Sequence, residues 1–236
     1  MSYPLPACRG KDAQGSAASL PCYYLTFDST PDDYISLAGV ALKRPFTVVM
    51  WVKRRVIGVN HGLIAGANVQ NDFCLTNSNV LSGRHAGDSS GWSTAITVTT
   101  WMHLAYLVKS STAVHQFFKD GVDVTGPGGA GVTNASAGTY IYIGRRGAGS
   151  SFDGQLAAVG IAPAELDIAT LYAAGTFHRP LDPAVFTVAC WNMRRESGAG
   201  TALTDEAATN HGTFKALGEP AWGGLMSAGG PAGWTD

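Results

Sequence analysis

Charge is scarce in this chain. Of 236 residues, only 14% are Asp, Glu, Lys or Arg, against about 25% in ordinary soluble domains. The deficit falls on the residues that cover exposed helix faces, since there are 4 glutamates and 6 lysines, and this argues against a helical bundle. The net charge is −1 with no basic stripe, which speaks against nucleic acid as a partner. The pairs Arg54-Arg55, Arg145-Arg146 and Arg194-Arg195 stand alone and read as solvated faces. The longest apolar run, about Val48 to Val52, falls far short of the ~20 residues of a membrane span, so no membrane insertion is expected. Cysteine is limited to Cys8, Cys22, Cys74 and Cys190, with no C-x-x-C or Cys/His ligand spacing, so a zinc site is not expected. The first residues, Met1-Ser2-Tyr3-Pro4-Leu5-Pro6, lack the basic start and apolar core of a secretory signal. The thiols are therefore expected to be free and buried, with a Cys8–Cys22 loop as the oxidising-compartment alternative.

What is abundant is glycine, 30 residues of 236, together with threonine and valine. That mixture points to strands joined by tight turns. Strand patterns fall at Tyr23 to Phe27, Tyr34 to Leu37, Phe46 to Val52, Leu63 to Ala65, Phe73 to Leu75, Trp101 to Val108, Val114 to Lys119, Val122 to Val124, Tyr140 to Ile143, Gln155 to Ile161 and Val185 to Trp191. Residues 82–93 are polar and glycine-rich and read as a loop. Asp120-Gly121 suits a two-residue hairpin turn with φ > 0 at both positions. One helix is expected near residues 163–174, with Pro163 in its first turn, a partial apolar face from Leu166, Ile168, Leu171 and Tyr172, and Gly175 beyond its end. The pattern predicts an all-β fold, a two-sheet antiparallel jelly-roll sandwich with that one short helix. It divides as an N-terminal arm, 1–22; a jelly roll, 23–217; and a Gly/Trp-rich tail, 218–236.

The order of segments resembles the laminin-G-like, pentraxin-like jelly roll of the concanavalin A-like lectin/glucanase superfamily. Leu25 to Leu37 is similar to that family's "FDG…DYV" opening, Phe46 to Lys53 to its "FT…WVK" strand, and Trp101-Met102-His103-Leu104-Ala105 to "WHHVA". Phe117 to Val122 is similar to "YVDG", and Tyr142 to Arg145 with Phe152 to Leu156 to "IGR…F.G.I". Trp191-Asn192-Met193, Glu196-Ser197-Gly198 and Asp205 to Thr213 resemble the stretch such modules carry beside the jelly roll, expected here to add a strand or cover one sheet. The resemblance implies calcium as the cofactor to consider, with Asp28, Asp32, Asp120 and Asp153 as its ligands; the plain reading of Asp28, Asp32 and Asp120 is as turn residues. Where the family often has an acidic pair, this chain has Ala157-Ala158.

Glucanases of that superfamily use Glu-x-Asp-x-x-Glu on a strand, so that alternation places the carboxylates on one face. Here Glu165-Leu166-Asp167 is the nearest approach and lies in the expected helix. The literal G-x-G-x-x-G at 126–131 follows a hairpin without opening a helix. A non-enzymatic module is therefore expected, with a carbohydrate-active hydrolase as the rival. Sugar recognition needs an aromatic face and a few planar polar groups. The candidate patch is Asn71, Asp72, Arg84, His85, Asp88 and Trp92, whereas Trp51, Trp101, Trp191 and His103 read as core residues.

The arm and tail have little periodic apolar character, so ordering them requires extensive contacts, either with a neighbouring subunit or with an edge strand of the same sandwich. The expectation is a homo-oligomer on a particle, a bacteriophage virion decoration or fibre-type protein at the virion surface. Trp222 and Trp234 would be its assembly anchors, virion subunits its partners, and a cell-surface glycan a further ligand. The alternative is a free lectin, extracellular by a route without a signal peptide.

Overall fold

The structure, a computed structural model, describes residues 8–9, 19–20, 23–29, 33–68, 70–88, 91–110, 115–127, 136–147, 150–173, 181–193, 202–215 and 221–225. Two eight-stranded antiparallel sheets face each other. Sheet I runs β12 (Val122–Asp123), β11 (His115–Lys119), β10 (Met102–Val108), β5 (Phe46–Arg54), β16 (Gly154–Ala162), β3 (Tyr23–Phe27) and β20 (Ala221–Leu225), with β17 (Ala189–Trp191) also paired to β16. Sheet II runs β18 (Ala202–Leu203), β19 (Gly212–Lys215), β4 (Tyr34–Leu42), β13 (Gly138–Ile143), β6 (His61–Ala65), β7 (Asp72–Leu75), β8 (Val80–Arg84) and β9 (Gly91–Ala95). Two short ribbons, β1 (Cys8–Arg9) with β2 (Ser19–Leu20) and β14 (Arg145–Arg146) with β15 (Ser150–Ser151), complete the strands. This is the jelly-roll sandwich expected from the sequence.

The strand β5 shows why its apolar run is unbroken. Phe46, Val48, Met50 and Val52 enter the core between the sheets, while Val49 and Trp51 belong to a second cluster on the outer face of sheet I. A strand buried on both sides has no polar face to alternate with. That second cluster is closed by Ile168, Leu181 and Phe186, which pack over Val49, Ala157 and Ala162. At the end of β5 the buried Arg54 donates from Nε to the Val98 carbonyl at 2.9 Å, from Nη1 to Asn79 Oδ1 at 3.2 Å, and from Nη2 to the Ile96 carbonyl. Burial lowers its pKa. The Asp120-Gly121 turn has φ of 51° and 81°, as the hairpin requires.

Three elements differ from expectation. The helix α1 spans Ile168–Ala173 rather than 163–174. Thr47 takes up the backbone ahead of it, donating from Oγ1 to the Ala164 carbonyl at 2.7 Å and accepting from the Leu166 N–H at 3.2 Å. Asp167 then caps the helix by accepting from Thr170 N at 3.1 Å. The strand expected at 185–191 begins only at Ala189, because Asp182 nucleates a turn, accepting at its side chain from Ala184 N at 2.8 Å and at its carbonyl from Val185 N. The polar stretch 82–93 is no plain loop, since it contributes the end of β8 and most of β9. Its glycines answer to packing: a Cβ on Gly83 would lie 2.5 Å from the Tyr106 ring, and one on Gly91 2.4 Å from His115. Such positions carry strand structure without a strand's usual composition.

Cys74 and Cys190 are buried thiols; Cys22 lies outside the described residues, and the Cys8–Cys22 pairing with it. His103 is fully buried against Trp51 and Tyr172, and Trp51 and Trp191 are core residues. The segment from 202 to 215 adds β18 and β19 beside β4. Its Asp205 carboxylate accepts from the backbone N–H of Cys190, Ala207 and Asn210 at 2.8–3.1 Å. No helix among the described residues is long and apolar enough to cross a membrane.

Candidate functional site

The site is built on the outer face of the β6–β9 half of sheet II. Phe73, Leu75 and Leu81 enter the core, so alternation sends Asp72, Cys74, Ser82 and Arg84 to the opposite face. There Asp72 pairs across the ladder with Arg84, Cys74 with Ser82, and Ser82 with Trp92. Trp92 is 42% exposed, the one tryptophan among the exposed large hydrophobics of the described residues.

The ribbon β14–β15 lies across this face. Gly62 of β6 permits it, because a Cβ there would stand 2.2 Å from both Arg145 C and Arg146 N. The ribbon delivers Arg146, whose Nε donates to Asp72 Oδ2 at 2.6 Å. Asp72 is only 1% exposed, and its other oxygen, Oδ1, is buried without a hydrogen-bond partner. Burial raises the Asp72 pKa, opposed by the charges of Arg146 and Arg84. Cys74, with its Sγ 4.0 Å from Asp72 Oδ2, is pushed by burial up to about 12, so it stays a thiol and is no nucleophile at neutral pH. The same ribbon places the Arg145 guanidinium 4.5 Å from the Tyr34 ring centre and 5.5 Å from that of Tyr142. These rings meet edge to face at 5.3 Å. The face is thus an arginine-rich layer between a tyrosine pair and an exposed indole.

The six expected glycan residues divide. Asp72, Arg84 and Trp92 share this outer face. Asn71, His85 and Asp88 build the turn that follows β8: Asn71 Oδ1 accepts from Ala86 N at 2.7 Å, and Asp88 N donates to the His85 carbonyl at 3.0 Å. His85 itself is fully buried, with its ring 4.9 Å from that of Phe46 and its Nδ1 3.4 Å from the Tyr140 hydroxyl. Burial lowers its pKa and favours the neutral ring. Arg145 and Arg146, read from sequence as a solvated pair, are half-buried and organise the site. Arg146, Tyr34 and Tyr142 were not candidates. The available signal was the alternation Tyr34-Ile35-Ser36-Leu37, which puts Tyr34 on the polar side of its strand.

Asp28, Asp120 and Asp153, considered for calcium, each lie beside a cation. Arg55 Nη1 stands between two of them, 3.0 Å from Asp153 Oδ1 and 3.9 Å from Asp28 Oδ2. Asp120 pairs with Lys119 and accepts from His103 N at 2.9 Å. Asp32 lies outside the described residues. Among those described, no three His, Cys, Asp or Glu side chains are grouped to hold a metal. Of the two expected anchors, Trp222 sits on β20, opposite Leu25 of β3, and Trp234 lies outside the described residues.

A search of curated proteins gave no significant match. Among solved structures, a Bacteroides ovatus protein proposed to bind carbohydrate superposes with a TM-score of 0.69 at 16% identity, over 89% of this chain and 62% of that one. This chain therefore spans less than two thirds of that protein. A heptameric SAP-like pentraxin from Limulus polyphemus superposes with a TM-score of 0.56 at 13% identity, over 82% of this chain and 95% of the other. At such identities the likeness shows a common fold. A family model for the concanavalin A-like lectin/glucanases superfamily matches residues 28–171. With that match over more than half its length, and with the laminin-G-like, pentraxin-like jelly roll it folds into, this chain belongs to the concanavalin A-like lectin/glucanases superfamily.

Proposed function

We propose that the chain is a non-catalytic glycan-binding module that works on the surface of a particle. The observation that carries the glycan reading is Trp92, a tryptophan 42% exposed on a sheet face otherwise filled by fixed polar groups. A solvent-exposed indole can take the apolar face of a sugar ring, and arginines on the same face can supply planar donors to its hydroxyls. The carbohydrate-binding role proposed for the Bacteroides ovatus protein supports the same reading. Against hydrolysis, a glycosidase needs two carboxyl groups about 5–9.5 Å apart across its substrate, whereas the carboxylate of this face, Asp72, is buried and bonded to Arg146.

Glycan-array binding of the intact chain tests the proposal. Trp92→Ala is expected to weaken binding by about 1–3 kcal/mol while leaving the fold intact. Absence of any glycan binder, or turnover of a polysaccharide abolished by changing one Asp, overturns it. For the setting we propose a bacteriophage virion, with the chain as a repeated decoration or fibre-type subunit. The low charge of the chain and its tryptophan-bearing tail support that setting. Native mass measurement of the full chain tests it, and a stable monomer at micromolar concentration sinks the homo-oligomer.

A further inference from the structure

The outer face of sheet I holds a second group of polar side chains, with a different character. Lys53 of β5 is paired with Gln155 of β16, and Gln155 with Thr26 of β3, so the three form one cross-strand row. Their neighbours Val52, Leu156, Leu25 and Phe27 enter the core, which turns this row outward. A cavity of about 110 Å³ opens here, lined by Thr26, Lys53, Arg54, Arg55, Gly154 and Gln155. Gly154 keeps part of its wall as bare backbone, because a Cβ there would stand 2.2 Å from the Lys53 carbonyl oxygen.

Every charged residue of the lining is a cation. Arg54 is committed to its carbonyl and amide acceptors, and Arg55 is drawn to Asp153 and Asp28. The ammonium of Lys53, the amide of Gln155 and the hydroxyl of Thr26 make no hydrogen bond or ion pair with any described residue. Three uncommitted donors around one cavity, with a surplus positive charge, form a receptor for a negatively charged oxygen group. Size narrows the ligand: sites that enclose a whole small molecule measure about 300–1,000 Å³, so this cavity takes a substituent rather than an entire ligand. On the same face, Tyr24 and Trp101 are half-buried with ring centres 5.8 Å apart, and they offer an aromatic flank for the body that carries the substituent.

We propose that this cavity binds an oxyanion, the carboxylate or sulfate of an acidic sugar, with the Lys53 ammonium as its counter-ion. The proposal stands independently of the Trp92 face. The test is calorimetric titration of the full chain with methyl β-glucuronide, inorganic sulfate and the neutral methyl β-glucoside. Glucuronide is expected to bind, glucoside not, and Lys53→Gln to weaken the binding about tenfold or more, with melting temperature confirming the fold. Gln155→Ala should weaken it less, and Lys119→Gln, on a lysine already paired with Asp120, should leave it unchanged. Tighter binding of glucuronide than of sulfate supports the acidic sugar as ligand, and equal binding supports the oxyanion alone. No binding of either anion, equal binding of the glucoside, or an unaltered affinity in both Lys53→Gln and Gln155→Ala overturns the proposal.

Discussion

On the outer face of sheet II the polar groups are spent on one another: Asp72 is held by Arg146, and Arg145 lies over two tyrosine rings. On the outer face of sheet I one half is sealed by an apolar cap of Ile168, Leu181 and Phe186, while the other half leaves Lys53, Gln155 and Thr26 uncommitted beside a cavity. One face is therefore a prearranged charged layer whose members stabilise each other. The other separates its tasks, with stability supplied by the cap and binding left to the open row. A buried polar network fixes geometry strongly but fails badly when one member is lost.

That contrast can be broken by mutation. The largest effects are expected where each face is sealed. Phe186→Ala should cost about 3–5 kcal/mol through the cavity it leaves. Arg146→Met should cost a similar ~3–5 kcal/mol for a different reason, since it strands Asp72 as a buried carboxylate; urea unfolding measures both. Only the second loss should depend on pH. The Asp72 pKa is raised in the native state by burial, so its contribution to stability is fully present below the unfolded value of about 3.9 and is lost as pH rises through the raised native value. In Asp72→Asn this component should vanish from the stability–pH curve, whereas Phe186→Ala should keep it.

Next in size is a pair of glycine substitutions. In Gly62→Ala the new methyl meets the backbone of Arg145 and Arg146 at 2.2 Å, which cannot yield without moving the ribbon. In Gly160→Ala it meets the side-chain carbons Leu181 Cδ1 at 2.6 Å and Phe186 Cδ1 at 2.7 Å. Overpacking of this kind costs about 1–3 kcal/mol, and Gly62→Ala should be the more damaging of the two by thermal melting. Smallest are the binding positions themselves: Trp92→Ala and Lys53→Gln should each shift stability within about 0.5 kcal/mol. A larger loss at Lys53 would show that the row is structural.

The sandwich was legible wherever apolar runs marked strands. Phe46 to Val52 and Trp101 to Val108 are long, β-branched or aromatic, and both lie at the centre of sheet I. The strands β8 and β9 were hidden because Gly83 and Gly91 are dictated by Tyr106 and His115, residues distant in sequence and supplied by the opposite sheet. The site was half legible for the same reason. Asp72, Arg84 and Trp92 announced themselves by residue type, but Arg146 reaches Asp72 across 74 residues of chain, and no local pattern reports such a contact. His85 had the chemistry of a ligand and the address of a core residue.

One lateral seam of the sandwich is stitched. Thr94 N donates to the Val124 carbonyl at 2.7 Å, Gly126 N donates to the Trp92 carbonyl at 2.8 Å, and Ser93 bridges Thr125. All of these contacts join residues 92–126, so the seam is complete once the middle of the chain has left the ribosome. The opposite side works on another clock. There β3 and β4 keep one bare edge each until β20 and β19, far downstream of them in the chain, have been made. A nascent chain released after the helix would carry two unprotected strand edges on the same flank, the arrangement that invites pairing with another chain. The strands β19 and β20 thus act as edge guards for β4 and β3 during synthesis.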